Sequence, residues 1–144
     1  MKKKLAELGW REYVDFPEFG ISGVKAKIDT GAKTSCIHAF SVETFDKDDE
    51  VWVRFGVHPT QGDRVTEVWC EAPVVDYREV TDSGGHNEMR YVIATQLIIG
   101  EHVFETEVTL ANRDSMRYRM LLGRRAMRGR FTVNPGVSYR QQAK

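Results

Sequence analysis

Between residues 51 and 133 the chain is written mostly in short runs of β-branched and aromatic residues broken by turn-forming clusters. Residues 51–57, VWVRFGV, alternate on a two-residue period, as a strand with one buried face does. The cluster HPTQGD at 58–63 predicts a turn. A second extended run covers 65–75, and Pro73 within it predicts an edge or a strand end. YVIATQLII at 91–99, Gly100-Glu101-His102, then VFETEVTL at 103–110 reads as a hairpin. Residues 131–133 make a last short strand. The one good helix candidate is 124–128, which follows Gly123 and stops at Gly129. The charge run DKDDE at 46–50 reads as a solvated loop. Many short strands with one short helix predict a small all-β barrel.

A chain of 144 residues suits one domain, 1–144, with a real core. Lysine plus arginine number 21 and aspartate plus glutamate number 21, a balance that gives no overall pull toward nucleic acid or a membrane surface. No apolar run nears the length of a membrane-spanning helix. The basic start MKKK is not followed by the apolar stretch of a signal peptide, so a cytoplasmic location is the expectation. Cys36 and Cys70 are too few for a disulfide framework and lack CxxC spacing, and buried or half-buried free thiols are expected.

The segment KIDTGAKTS at 27–35 supports two opposed readings. Its right half imitates a phosphate-binding loop. That loop needs glycine at both fixed positions so that backbone amides can approach phosphate. With Lys33 as its lysine, those positions fall on Lys27 and Ala32, and the reading fails. The left half places Asp29 at the end of an alternating strand, 24–28, followed by Thr30 and Gly31. A strand end holds a carboxylate rigidly, threonine offers a hydroxyl to lock the loop, and glycine admits a backbone amide to the carboxylate. Taken alone, three such residues more often make an ordinary aspartate turn.

A later segment, RMLLGRRAMRGRFTVNP at 119–135, adds Leu121-Leu122-Gly123, the short helix and a closing strand. Together with LGWREYVDFPEFGISGVKAKIDTGAKTSCIHA, CEAPVVDYREV, EVTLANRDSMRYRMLLGRRAMRGRF and VNPGVSY, these motifs resemble a bacterial retropepsin-like aspartic peptidase family. That family is often labelled "ATP-dependent zinc protease" and is associated with ATP-grasp glutamate ligases of the type that modify ribosomal protein S6. The resemblance runs from about residue 8 to residue 139. It implies a closed, acid-protease-type barrel in which Asp29 is catalytic, Thr30 and Gly31 shape its loop, and Gly123 avoids crowding that loop. A homodimer would bring two Asp29 carboxylates together, and water activated between them would cleave a peptide bond. A glycine-rich flap is implied as well, with Ser83, Gly84, Gly85 and His86 as candidates. Asp82-Ser83-Gly84 spells the alternative form of the carboxylate motif, but its context fits a hairpin tip better.

One departure bears on substrate. Retroviral members carry an acid after D-T-G-A that bonds the arginine following the later glycine, and here Lys33 stands in its place while Arg124 remains. Lys33 and Arg124, with Arg125 and Lys27 nearby, imply a cleft for acidic peptides, such as glutamate-rich or oligoglutamate-tailed proteins. Lys33 could instead pair with Glu43. His38 is expected to pack or to contact substrate beside the loop. No zinc or other cofactor is expected. There is no H-E-x-x-H, and Cys36, His38, His58, Cys70, His86 and His102 lack the spacing of a three-ligand site. No ATP site is recognisable, so ATP dependence would belong to a partner ligase. The rival functions are a zinc-dependent peptidase and a non-catalytic binding module that partners a glutamate ligase.

Overall fold

The structure, a computed structural model, describes residues 4–82, 84–112 and 117–141. Its strands are β1 (Ala6–Leu8), β2 (Arg11–Phe16), β3 (Ile21–Ile28), β4 (Ser35–His38), β5 (Ser41–Lys47), β6 (Glu50–Val57), β7 (Val68–Pro73), β8 (Asp76–Thr81), β9 (Asn87–Ile99), β10 (His102–Ala111), β11 (Met120–Leu122) and β12 (Phe131–Val133). One α-helix among the described residues, α1 (Arg124–Met127), lies between β11 and β12. Six strands form a closed ring in the order β10, β4, β11, β3, β2, β9, and β9 pairs back onto β10. The expected all-β, closed, retropepsin-like barrel with one short helix near the C-terminus is therefore what forms.

The ring closes because β9 is long. Its residues from Val92 to Ile99 pair with β10, while Asn87 to Val92 pair with β8 on the opposite edge. The expected 91–110 hairpin is thus present and longer than its apolar runs suggest. Leu97, Ile99, Val108 and Leu110 enter the core with Val14, Phe16, Val24 and Ala26. Strand β2 alternates strictly, with Glu12, Val14 and Phe16 buried. Glu12 survives there because its carboxylate accepts backbone N–H groups from Gly9 at 2.7 Å, Arg140 at 2.8 Å and Gln141 at 3.1 Å. The carboxylate and the amides satisfy one another, and the C-terminal segment is pinned across the barrel.

Strands β5, β6 and β7 form a separate three-stranded sheet. Its inner residues Val53, Phe55, Val57, Cys70 and Ala72 join the core, and Phe55 meets Phe19 edge-on at 5.5 Å. Burying Phe55 alone contributes about 1.5–3 kcal/mol. The loop expected at 46–50 is instead the end of the β5–β6 hairpin. Lys47 pairs with Glu50, and only Asp48 and Asp49 turn, with φ of 53° and 62°. Two left-handed residues match the twist of a hairpin, and aspartate tolerates that conformation. The extended run expected over 65–75 shortens to β7, which ends at Pro73. Val65 stays 90% exposed, in the turn where Asp63 accepts amides from Val65 and Thr66. The Thr66 side chain first, and then those two amides, hold the Asp63 carboxyl below its usual range.

Candidate functional site

Strand β3 delivers Asp29 to the barrel rim, and β4 starts again at Ser35. The six residues between them fold back on Asp29. Its Oδ1 accepts the Gly31 N–H at 3.0 Å, and its carbonyl accepts the Ala32 N–H at 3.2 Å. A Cβ on Gly31 would stand 3.3 Å from that oxygen, so glycine lets the amide reach the carboxylate. Asp29 is half-buried, while Thr30, Gly31 and Lys33 are exposed.

Strand β11 runs beside this loop. It pairs parallel to β3 and antiparallel to β4, and the Leu122 carbonyl accepts the Asp29 N–H at 2.9 Å. Gly123 then passes directly against the loop. A Cβ there would meet the Thr34 carbonyl carbon at 2.6 Å and the Ser35 nitrogen at 2.9 Å, both backbone atoms that cannot move aside. The Gly123 N–H donates to the buried Ser35 Oγ at 3.0 Å. Beyond it, Arg124 N donates to the Ala32 carbonyl at 2.8 Å and Arg125 N to the Lys33 carbonyl at 3.2 Å. Two chain segments far apart in sequence are stitched into one rigid support for a single carboxylate.

The arginine keeps its place without the missing acid. Arg124 Nη1 donates to the Gly31 carbonyl at 3.2 Å, so a backbone oxygen takes over the loop-locking contact. Lys33, Lys27, Arg124 and Arg125 are all exposed around the loop. Among the described residues no ion pair joins Lys33 to Glu43, and Arg125 lies 4.0 Å from Glu107.

The other expected residues lie elsewhere. His38 is 2% exposed, at the end of β4 remote from the loop, and its N–H donates to the Arg119 carbonyl at 2.8 Å. It is packed inside the sheet rather than presented on open surface. Gly84, Gly85 and His86 occupy the tip of the β8–β9 hairpin, and Ser83 lies outside the described residues. At that tip the Asp82 carboxylate accepts N–H groups from Gly84 and His86, both at 2.9 Å, and Gly85 takes φ of +81°. Asp82 is a turn-maker. Cys36 and Cys70 are buried free thiols, and burial pushes the Cys70 thiol up to about 12. Among the described residues no group of three or more His, Cys, Asp or Glu is placed to hold a metal ion. None of the described helices is long and apolar enough to cross a membrane. Sequence reasoning missed Ser35 and Glu12. The burial parity of β2 would have flagged Glu12, which shares a face with Val14 and Phe16.

A carboxylate on a strand-end D-T-G turn, wedged by the glycine of a crossing strand in a closed barrel, defines an acid-protease-type domain. The chain belongs to the RimB-like family of retropepsin-like aspartic endopeptidases, whose model matches residues 7–144. It is 48% identical over 130 residues to a probable alpha-L-glutamate ligase of Desulfotalea psychrophila, covering 90% of this chain and 28% of that protein. It is 46% identical over 132 residues to a protein of the same name from Shewanella halifaxensis, covering 92% of this chain and 29% of the relative. The chain thus spans under a third of these curated relatives. The solved structure of Lpg0085 from Legionella pneumophila, a protein of unknown function, superposes with a TM-score of 0.79 at 26% identity. That match covers 96% of this chain and 100% of the other.

Proposed function

We propose that the protein is an aspartic-type peptidase in which two copies of the chain each contribute Asp29, with water activated between the two carboxylates. The observation that carries this is the wedge of Gly123 against the Asp29 loop, which fixes the carboxylate at the barrel rim. The other D-x-G turn spends its carboxylate on its own amides, so a second copy is the natural source of the partner group. Two carboxylates that close share one proton, since both cannot ionise; one then acts as base toward water and the other as acid toward the leaving amine. The β8–β9 hairpin, its tip exposed, is the flap in this reading.

The substrate is an acidic peptide, of the glutamate-rich or oligoglutamate-tailed kind. The exposed cations Lys27, Lys33, Arg124 and Arg125 support this, because clustered positive charge concentrates anionic ligands. So does the similarity to proteins named probable alpha-L-glutamate ligases. A glutamate ligase is accordingly the functional partner, and ATP enters through that partner alone. Zinc has no role in this proposal. Cys36 and His38, the nearest pair of donors, share a face with the buried cations Arg90 and Arg119 of neighbouring chain segments, which oppose a divalent ion.

A second reading follows from the same relatives, whose names speak of ligation and not of hydrolysis. In it the domain binds acidic tails for a ligase and cleaves nothing. Incubation of an oligoglutamate-tailed peptide with wild type and Asp29→Asn, read by mass spectrometry, separates the two. Cleavage by wild type alone is the expected result. Tail binding without cleavage by either protein would favour the binding module, and cleavage by both would remove Asp29 from the mechanism. Lys33→Ala should raise KM for acidic peptides and leave neutral ones unchanged; equal KM on both would remove the acidic-cleft argument.

A further inference from the structure

Two arginines are buried on the face of β4 turned away from the main core. Arg90 is 7% exposed and Arg119 is 9% exposed. The pairing of β11 with β4 sets Arg119 opposite His38, as the 2.8 Å bond from His38 N to the Arg119 carbonyl requires. Residues opposite in an antiparallel pair share a face, and so do residues two apart on one strand. Arg119, His38 and Cys36 therefore line one surface. Arg90 reaches the same surface from β9, with Nη1 3.5 Å from Cys36 Sγ.

Both guanidiniums are short of partners. The Nε of each is out of solvent without a hydrogen-bond acceptor. Arg90 has Glu88 at 3.5 Å, too distant for a good charge-assisted bond. Arg119 has no counter-ion among the described residues. The acids closest in register are already engaged, since Arg78 holds Asp76 at 2.9 Å and Glu107 at 2.6 Å. One buried guanidinium paired only loosely, beside another with no counter-ion among the described residues, is costly and calls for a compensating anion.

We infer that Arg90 and Arg119 form a binding site for a small oxyanion, a carboxylate or a phosphate group. Planar guanidinium forks match both kinds of oxyanion. Arg119 keeps 9% exposure, which leaves a small ion a way in. The site lies behind the carboxylate loop, on the two strands that lead into it. Cys36 follows Thr34 by two residues, and Arg119 precedes Gly123 by four. An anion there stiffens the support of Asp29 without touching it.

The test is thermal denaturation of the whole chain at fixed ionic strength, titrated separately with sodium glutamate and with sodium phosphate, and with sodium chloride as control. Wild type, Arg119→Met and Arg119→Lys are compared. Wild type should gain Tm saturably with at least one oxyanion and not with chloride, and the more effective of the two identifies the ligand class. Arg119→Met should bind roughly tenfold or more weakly, as expected for loss of a charge-assisted contact. Its Tm in oxyanion-free buffer should equal or exceed that of wild type, because an uncompensated buried charge has gone. Arg119→Lys, which keeps the charge and loses the fork, should bind with intermediate affinity and secures the test if the Met variant fails to fold. A wild-type Tm that does not respond to either oxyanion, or an equal response in the variants, overturns the site. Asp29 takes no part, so Asp29→Asn protein should respond as wild type does, whatever the fate of the peptidase reading.

Discussion

Two turns in this molecule share a local design and differ in everything around it. At Asp29 the carboxylate accepts the N–H of the glycine two residues on at 3.0 Å, and at Asp82 it does the same at 2.9 Å. Asp82 then takes a further amide from His86 and closes a hairpin tip in solvent. Asp29 takes no second amide from its own turn. Its loop is gripped from outside, by Leu122, Gly123, Arg124 and Ser35. The three-residue motif by itself therefore makes only a turn. The crossing strand is what turns one of the two into a fixed, half-open carboxylate at a barrel rim.

Neutralising each aspartate in turn should separate the two turns most strongly. Asp29→Asn should lower kcat/KM on an acidic peptide by at least about 10³-fold, as loss of a group central to proton transfer does. Asp82→Asn should leave kcat/KM nearly unchanged, since asparagine keeps an oxygen for the same amides. Equal losses in both would mean the turns are not distinct in role.

Glycines give the next largest contrast. Gly123→Ala forces a Cβ into the Thr34 backbone and should cost about 1–3 kcal/mol by urea denaturation, with activity lost as the loop shifts. Gly85→Ala meets no atom and strains only a φ of +81°, for about 1 kcal/mol. Ser35→Ala leaves the buried Gly123 N–H unpaired, at a similar cost of about 1–3 kcal/mol.

The smaller effects are chemical. The Cys70 thiol is held up to about 12 against an ordinary 9.0. The native state therefore keeps a proton that the unfolded chain releases above pH 9, and stability falls as pH rises from about 9 toward 12. Cys70→Ala should flatten that part of the pH–stability curve, and an unchanged slope would assign it to other groups. Smallest of all, Arg124→Ala removes an exposed contact to the Gly31 carbonyl and should cost about 0.5 kcal/mol or less.

The legible parts of the fold were those where packing follows residue type. The strand into Asp29, the β9–β10 hairpin, β12 and the need for glycine at 123 all announce themselves in apolar periodicity or in a residue that tolerates contact. Strand β4 did not, because Ser35-Cys36-Ile37-His38 is buried on both faces and carries no alternation. Strand β5 is mostly polar and exposed, and its half-buried Val42 and Phe45 are too sparse a signal against Glu43, Asp46 and Lys47. Within the site, Asp29 and Gly31 were readable from their turn. The contact of Arg124 with a backbone carbonyl was not, because no residue type records a free C=O. The buried arginines were equally silent, since arginine in a strand reads as a solvated face.

In the proposed mechanism the active centre is shared between two copies of Asp29. Wild type and Asp29→Asn should be unfolded together, refolded at several ratios and assayed on an oligoglutamate-tailed peptide. If both carboxylates are needed, activity follows the square of the wild-type fraction, so an equal mixture keeps about a quarter of the activity of the same total amount of wild type. An equal mixture that keeps about half would mean that each chain works alone, and would contradict the shared centre.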